Sequence, residues 1–496
     1  MNSKSLVKNS IFSILETLAL IVSEMVVPRL ILVIYGSEYN GLVTSITQFM
    51  SVATILNAGI AGATRVALYP CLAREDWHAF SGIVNATGRY MQKVGMILLG
   101  VIVALAGVYP FFIDEFGWLF ASSLFLIIGL SSLADTLWGI TNTTIFIADQ
   151  KLWVVSGCKI VVYLLNVTIS VVLMLVGAPI HLVKLGSAAV FVIYPLVLQH
   201  LVRKNYPLDR TIAPDYHAIS QRWDAFWHQI ALFVMDNVDV IVLTVFTDML
   251  TVSVYSVYNL VMAGIKKVIL AFSKSVEPMF GGLLAREEEE RARESLGVVE
   301  LVISSIVTGV YASTAVLLMG FVNIYTKGVS DVNYIRPAFA YILLAAHTIN
   351  SYRLPYQAVT QAAGHYRQTK KWVILEPVIN LAISLSLVTK YGLVGIAVGT
   401  LAAVAYKFCF YVIYLSRNII KRSVWTAVKH YVVSLFEMLL IFAITYCLHF
   451  ESHPGILSWI LEAVVTVIIS AAVIAAGSWC CYREESRKIV SKLKRQ

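Results

Sequence analysis

Apolar runs of eighteen residues or more recur from one end of the chain to the other, separated by short polar or basic breaks. Runs of that length match a helix crossing the hydrocarbon core of a bilayer, which takes about 20 residues. The pattern predicts helices near 9–35, 42–69, 82–109, 119–148, 152–177, 185–202, 223–246, 251–281, 294–324, 337–362, 372–389, 392–416, 430–449 and 457–481. The longest polar stretch, 203–222, reads as a linker and leaves little room for a separate soluble domain. The predicted fold class is an all-α polytopic membrane protein with about 14 transmembrane helices.

The polar breaks test this count. With the N-terminus on the cytoplasmic side, the segments that face the cytoplasm carry 24 Lys and Arg. Those on the opposite side carry four: Lys184, Lys327, Arg336 and Lys390. Lys and Arg resist translocation, so the parity places both termini in the cytoplasm. Composition agrees: 58% of residues are hydrophobic and 14% charged, against about 25% charged in soluble domains. The net charge of +9 then needs no nucleic acid, and the basic tail Arg483 to Arg495 is expected to face anionic head groups. The first apolar segment carries Glu16, Glu24 and Arg29 and is too long for a signal peptide. Six cysteines show neither a disulfide framework nor metal spacing, so no metal or other cofactor is expected.

The chain repeats itself. CLARED at 71–76 returns as LLAREE at 283–288, LALIVSE at 18–24 meets IALFVMD at 230–236, and LNVTIS at 165–170 meets INLAIS at 379–384. All fall near one offset of 212 to 214 residues, which indicates a duplicated unit of six helices. An even number gives both copies the same orientation, related by an axis along the membrane normal. The predicted organisation is an N-lobe at 1–203, a linker at 204–222, a C-lobe at 223–416, two C-terminal helices within 417–481 and a basic tail at 482–496. Two parallel lobes with a cavity between them suit a transporter. A membrane glycosyltransferase or polymerase would need an outer domain to hold acid and base groups. The outer loops here run to about 4 to 12 residues, so no catalytic residues are expected.

Charges inside apolar helices cost about 2.5 to 3.5 kcal/mol each on insertion scales, so each is expected to face a wet cavity or a partner. Glu24, Arg29, Arg65, Asp135, Lys159, Asp236, Asp239, Lys266, Lys267, Lys274, Glu277, Arg353, Glu376 and Lys407 are of this kind. In the tenth segment His347, Asn350, Arg353, Gln357 and Gln361 recur every three or four residues and form one polar stripe, with Pro355 expected to bend the helix. Arg65, Lys274 and Arg353, with Asn350 and Gln357, are the candidate substrate-binding residues, because a guanidinium fork suits a phosphate. Glu24, Asp236 and Asp239 are the candidate ion-coupling residues. Asp236 and Asp239 lie about 60° apart on one helix, close enough to share a proton or a cation. The opposing reading makes these charges structural ion pairs within the bundle.

The stretch AAGHYRQTKKWVILEPVINLAISLSLVTKYGLVGIAVGT at 362–400, with Gly364, His365, Gln368, Thr369, Glu376, Asn380, Gly395, Gly399 and Thr400, resembles the polysaccharide transporter, or oligosaccharide flippase, family of the multidrug/oligosaccharidyl-lipid/polysaccharide exporter superfamily. NAGIAGATRVALYPCLARED at 57–76 and DNVDVIVL with VYSVYNLV are similar to other segments of that family, although Val240 stands after Asp239 where Asn is usual. The resemblance implies a pair of bundles that moves a polyprenyl-pyrophosphate-linked oligosaccharide across the bacterial cytoplasmic membrane, in surface polysaccharide assembly and alongside a polysaccharide polymerase machinery. The competing expectations are a drug or small-solute exporter of the same superfamily and a membrane glycosyltransferase or polymerase.

Overall fold

The computed structural model describes residues 3–51, 53, 57, 60–219, 237–273, 276–448, 455–483 and 485. All regular structure among them is helical. In chain order the helices are α1 (Ser3–Ile34), α2 (Ser37–Met50), α3 (Ile60–Arg74), α4 (Trp77–Val108), α5 (Trp118–Ala134), α6 (Ile140–Ala148), α7 (Leu152–Leu175), α8 (Ile180–Asn205), α9 (Asn237–Phe246), α10 (Met249–Ser273), α11 (Val276–Ala285), α12 (Glu289–Tyr325), α13 (Pro337–Tyr352), α14 (Leu354–Ala362), α15 (Tyr366–Tyr391), α16 (Leu393–Asn418), α17 (Val424–Cys447) and α18 (Ile456–Cys481). A π-helical segment, Asp135–Gly139, joins α5 to α6.

Eleven helices among the described residues are long and apolar enough to cross a membrane. The protein is a multi-pass membrane protein. Three of the fourteen expected spans are not among the eleven, each for a local reason. The span at 42–69 contains residues outside the described set, and of that at 223–246 only α9 is described. The span at 337–362 divides at Arg353 into α13 and α14. Pro355 stands two residues beyond that break, and its missing N–H removes one rung of the helical ladder.

The chain forms two compact units, Met1–Ser256 and Val257–Gln496. In unit 1, α1 packs on α7: Lys159 reaches Glu16 at 3.2 Å and Asn166 donates to Ser23 Oγ at 3.2 Å. The start of α10 lies against α2, where Asn40 donates to the hydroxyls of Ser253 and Ser256 at 2.9 Å, and α9 does so through Thr244, which meets Ser45 at 2.7 Å. Apolar burial gives no net drive between helices in lipid, so such bonds, about 0.6 kcal/mol each, and close backbone packing carry the association. Gly41 shows the packing limit: a Cβ there would lie 1.9 Å from the Met249 carbonyl oxygen. In unit 2 α15 packs closely on α16, where a Cβ on Gly395 would lie 2.7 Å from the Leu387 backbone.

The LARE sequences form matching turns. Glu75 and Glu287, 212 residues apart, both take left-handed backbone conformations, φ 55° and 58°. Asp76 N–H closes on the Cys71 carbonyl at 3.0 Å, and Glu288 N–H closes on Leu283 at 3.1 Å. Both are the six-residue helix-ending loop, followed at once by a new helix. The Asp76 carboxylate also caps α4 through Ala79 N–H at 3.0 Å, a contact worth about 1 kcal/mol. The turns at Gln150 and Gly364, 214 apart, match in the same way: φ is 57° and 72°, with Lys151 N–H closing on Phe146 and His365 N–H on Thr360.

Candidate functional site

The polar stripe of the tenth segment converges on Arg353. The residue sits at the break between α13 and α14, its side chain only 7% exposed. Nη1 donates to Gln357 Oε1 and Nη2 to Asn350 Oδ1, both at 2.6 Å. These partners lie three residues before and four after, the spacing that puts side chains on one helical face. The guanidinium carbon also lies 6.0 Å from the Tyr411 ring centroid of α16, within cation–π range. No carboxylate lies within ion-pair distance of Arg353 among the described residues, and its buried Nε has no hydrogen-bond partner among them. Taking an ion out of water costs several kcal/mol. Two amide oxygens offset part of that cost and leave both the charge and one N–H donor for an anion. Three of the predicted binding residues are therefore brought together in unit 2.

The others are placed separately. Arg65 lies on α3 in unit 1, partly exposed, and its buried Nε has no partner among the described residues. Glu24 is partly buried on α1. Asp239 is buried on α9, where Tyr255 of α10 donates to its Oδ2 at 3.1 Å. Lys274 and Asp236 lie outside the described residues, and with Asp236 goes the pairing expected with Asp239.

Several membrane charges have structural partners. Glu376 and Lys407, 1% and 5% exposed, form an ion pair between α15 and α16. Lys159 pairs with Glu16. Glu115 accepts from Met249 N–H at 2.9 Å at the start of α10. All six cysteines are free.

Sequence reasoning missed one constellation. Glu300 on α12, 2% exposed, accepts from both terminal nitrogens of Arg422, the Oε2 contact at 2.7 Å, and from the Tyr356 hydroxyl. His430 of α17 lies 3.9 Å from the same carboxylate and stacks on Tyr482 with ring centroids 4.4 Å apart. Burial pulls the Arg422 guanidinium down, but the hydrogen bonds and charge of Glu300 outweigh it and raise its pKa. The available signal was Glu300 itself, an ionisable residue twelve positions into a helix long enough to span a membrane.

No family model and no curated protein matches the chain. Solved structures do. A structure described as the lipid II flippase MurJ in an inward closed conformation superposes with a TM-score of 0.72 at 13% identity, covering 96% of this chain and 99% of that one. An inward-facing multidrug resistance MATE family transporter of the MOP superfamily gives 0.66 at 13% identity, over 81% of this chain and 95% of that one. A MOP superfamily transporter from Pyrococcus furiosus, whose description refers to a binding pocket of reversed polarity, gives 0.59 at 13% identity, over 85% and 97%. The chain has the fold these transporters share.

Proposed function

We propose that the protein is a flippase that moves a polyprenyl-pyrophosphate-linked oligosaccharide across the bacterial cytoplasmic membrane by alternating access, for surface polysaccharide assembly. The observation that carries the reading is Arg353, a buried guanidinium held open by Asn350 and Gln357 with no carboxylate partner among the described residues. A pyrophosphate must exchange its hydration for such donors, while a lipid tail can stay in the bilayer. The fold shared with a lipid II flippase over nearly the whole chain supports the same class of cargo. In this reading Arg65 and Lys274 join Arg353 in drawing the head group in, and Glu24, Asp236 and Asp239 couple the cycle to an ion. Both termini face the cytoplasm, and the polymerase machinery acts on the delivered repeat units.

Inactivating the gene tests the cargo. Short lipid-linked oligosaccharide should accumulate on the inner leaflet and surface polymer should fall. Full polymer with altered drug sensitivity would favour the second reading, a drug or small-solute exporter, which the multidrug transporter of the same fold supports. Ala at Arg65, Lys274 and Arg353, each checked for membrane abundance, tests the site. Normal export by all three would make them structural charges. A reporter active only outside the cytoplasm, fused after Gln496, should stay silent.

A further inference from the structure

The polar stretch after α8, expected only to link, is fastened across unit 1. Tyr206 donates to Asp149 Oδ2 at 2.6 Å and stacks on Phe80 at 5.8 Å. Asp209 N–H donates to Ser81 Oγ at 3.1 Å, and Asp215 N–H to the Gly82 carbonyl at 3.0 Å. Asn85 Nδ2 donates to the carbonyls of Asp209 and Ile212, both at 2.9 Å. This strapping brings Arg210 to a cavity of about 250 Å³ whose other walls are α4, α6, α8 and the π segment.

The lining is rich in donors. Arg89 and Arg210 supply two guanidinium groups, and Gln92 and Gln199 supply amides, while the amide of Asn142 already donates to the Trp138 carbonyl at 2.7 Å. Thr141, also on the wall, is 7% exposed, and its Oγ1 is buried without a hydrogen-bond partner among the described residues. An unmet buried hydroxyl costs about 1 to 3 kcal/mol, so one on a residue that lines a polar cavity needs an account. Two acids of this region, Asp209 and Asp149, are engaged elsewhere. Asp209 Oδ1 accepts from Thr211 N–H at 2.8 Å and from the Thr211 hydroxyl at 2.7 Å, and Asp149 takes Lys151 at 2.7 Å as well as Tyr206. The wall contributed by Leu137 and Trp138 belongs to the π segment, where Ile140 N–H reaches back five residues to the Asp135 carbonyl. Such wide turns inside helices concentrate at functional sites. Beside Gly139 the space is taken by the Asp135 carboxylate, whose Oδ1 would lie 1.9 Å from a Cβ there.

We infer that this cavity in unit 1 binds a phosphate group, carried either by a soluble metabolite or by a lipid head group. Two arginine forks match phosphate oxygens in planar geometry, and the amides and the Thr141 hydroxyl complete the donor set. The inference stands on unit 1 alone and does not depend on the cargo proposed above.

Binding to the purified full chain in detergent tests it, with inorganic phosphate titrated against chloride at constant ionic strength and dihexanoyl phosphatidylglycerol titrated separately. Saturable binding of free phosphate identifies a soluble ligand, and binding of the short-chain lipid alone identifies a head group. Arg89→Gln and Arg210→Gln should each weaken the binding about tenfold, and Thr141→Val about threefold. Arg203→Gln, the same charge change at an exposed arginine outside the cavity, should leave it unchanged. The inference fails if neither probe binds, if the cavity variants bind like the parent, or if Arg203→Gln weakens binding as much as they do.

Discussion

Among the described residues of unit 2, three buried lysine and arginine side chains are treated in two ways. Lys407 is answered by Glu376 and Arg422 by Glu300, each a charge against a charge. Arg353 is as deeply buried but is met by two neutral amide oxygens and an aromatic ring. A neutralised pair fixes one helix to another and has no further use for an anion. A cation oriented by neutral groups keeps its field, and its position at a helix break lets it point into the polar stripe. The contrast separates charges paired with a carboxylate inside the bundle from a charge held only by neutral groups.

The comparison can be broken most forcefully at Glu300. Glu300→Ala strands Arg422 and the Tyr356 hydroxyl and should cost about 3 to 5 kcal/mol, read as a lower midpoint of thermal unfolding in detergent. An unchanged midpoint would show that this carboxylate holds nothing. At the second pair, Glu376→Leu alone should cost about 3 kcal/mol, while adding Lys407→Met should return stability to within about 1 kcal/mol of the parent. A double variant as unstable as the single one would mean that the pair does more than neutralise itself. Arg353→Met should cost only about 1 kcal/mol, from the two amide oxygens left unmet, yet reduce export about tenfold or more at normal abundance. A large fall in stability would move Arg353 into the structural class. The smallest effect belongs to the exposed pair of Lys421 and Glu289, 62% and 65% exposed, where Lys421→Gln should change stability by less than about 0.5 kcal/mol.

What the sequence revealed depended on how far apart the cooperating residues lie. The apolar runs predicted α16 near 392–416 and the structure has Leu393–Asn418, because a bilayer span is a local property of composition. Arg353, Asn350 and Gln357 could be grouped from spacing alone, since all three fall within about two turns of the expected helix. Glu300 and Arg422 could not: 122 residues separate them, and Arg422 counts in a charge tally as a loop anchor. The polar stretch at 203–222 hid its role for a similar reason. Its partners Ser81, Gly82 and Asn85 lie more than a hundred positions earlier, and nothing in a hydrophilic loop announces which helix it will cross. Arg89 and Thr141 stayed unremarked because neither stands out until the fold sets them on one wall.

The paired turns at Glu75 and Glu287 bear on the chain's ancestry. For a residue with a Cβ the left-handed conformation costs about 1 to 2 kcal/mol, and glycine would relieve it, yet a glutamate stands at both places. At Gln150 and Gly364 one copy has taken the glycine and the other has not, while the backbone hand is the same. The residue is free to drift because many side chains tolerate the bend. The bend is not, because reversing it would send the next helix in another direction. In these two pairs of turns the hand of the backbone is shared even where the residue is not.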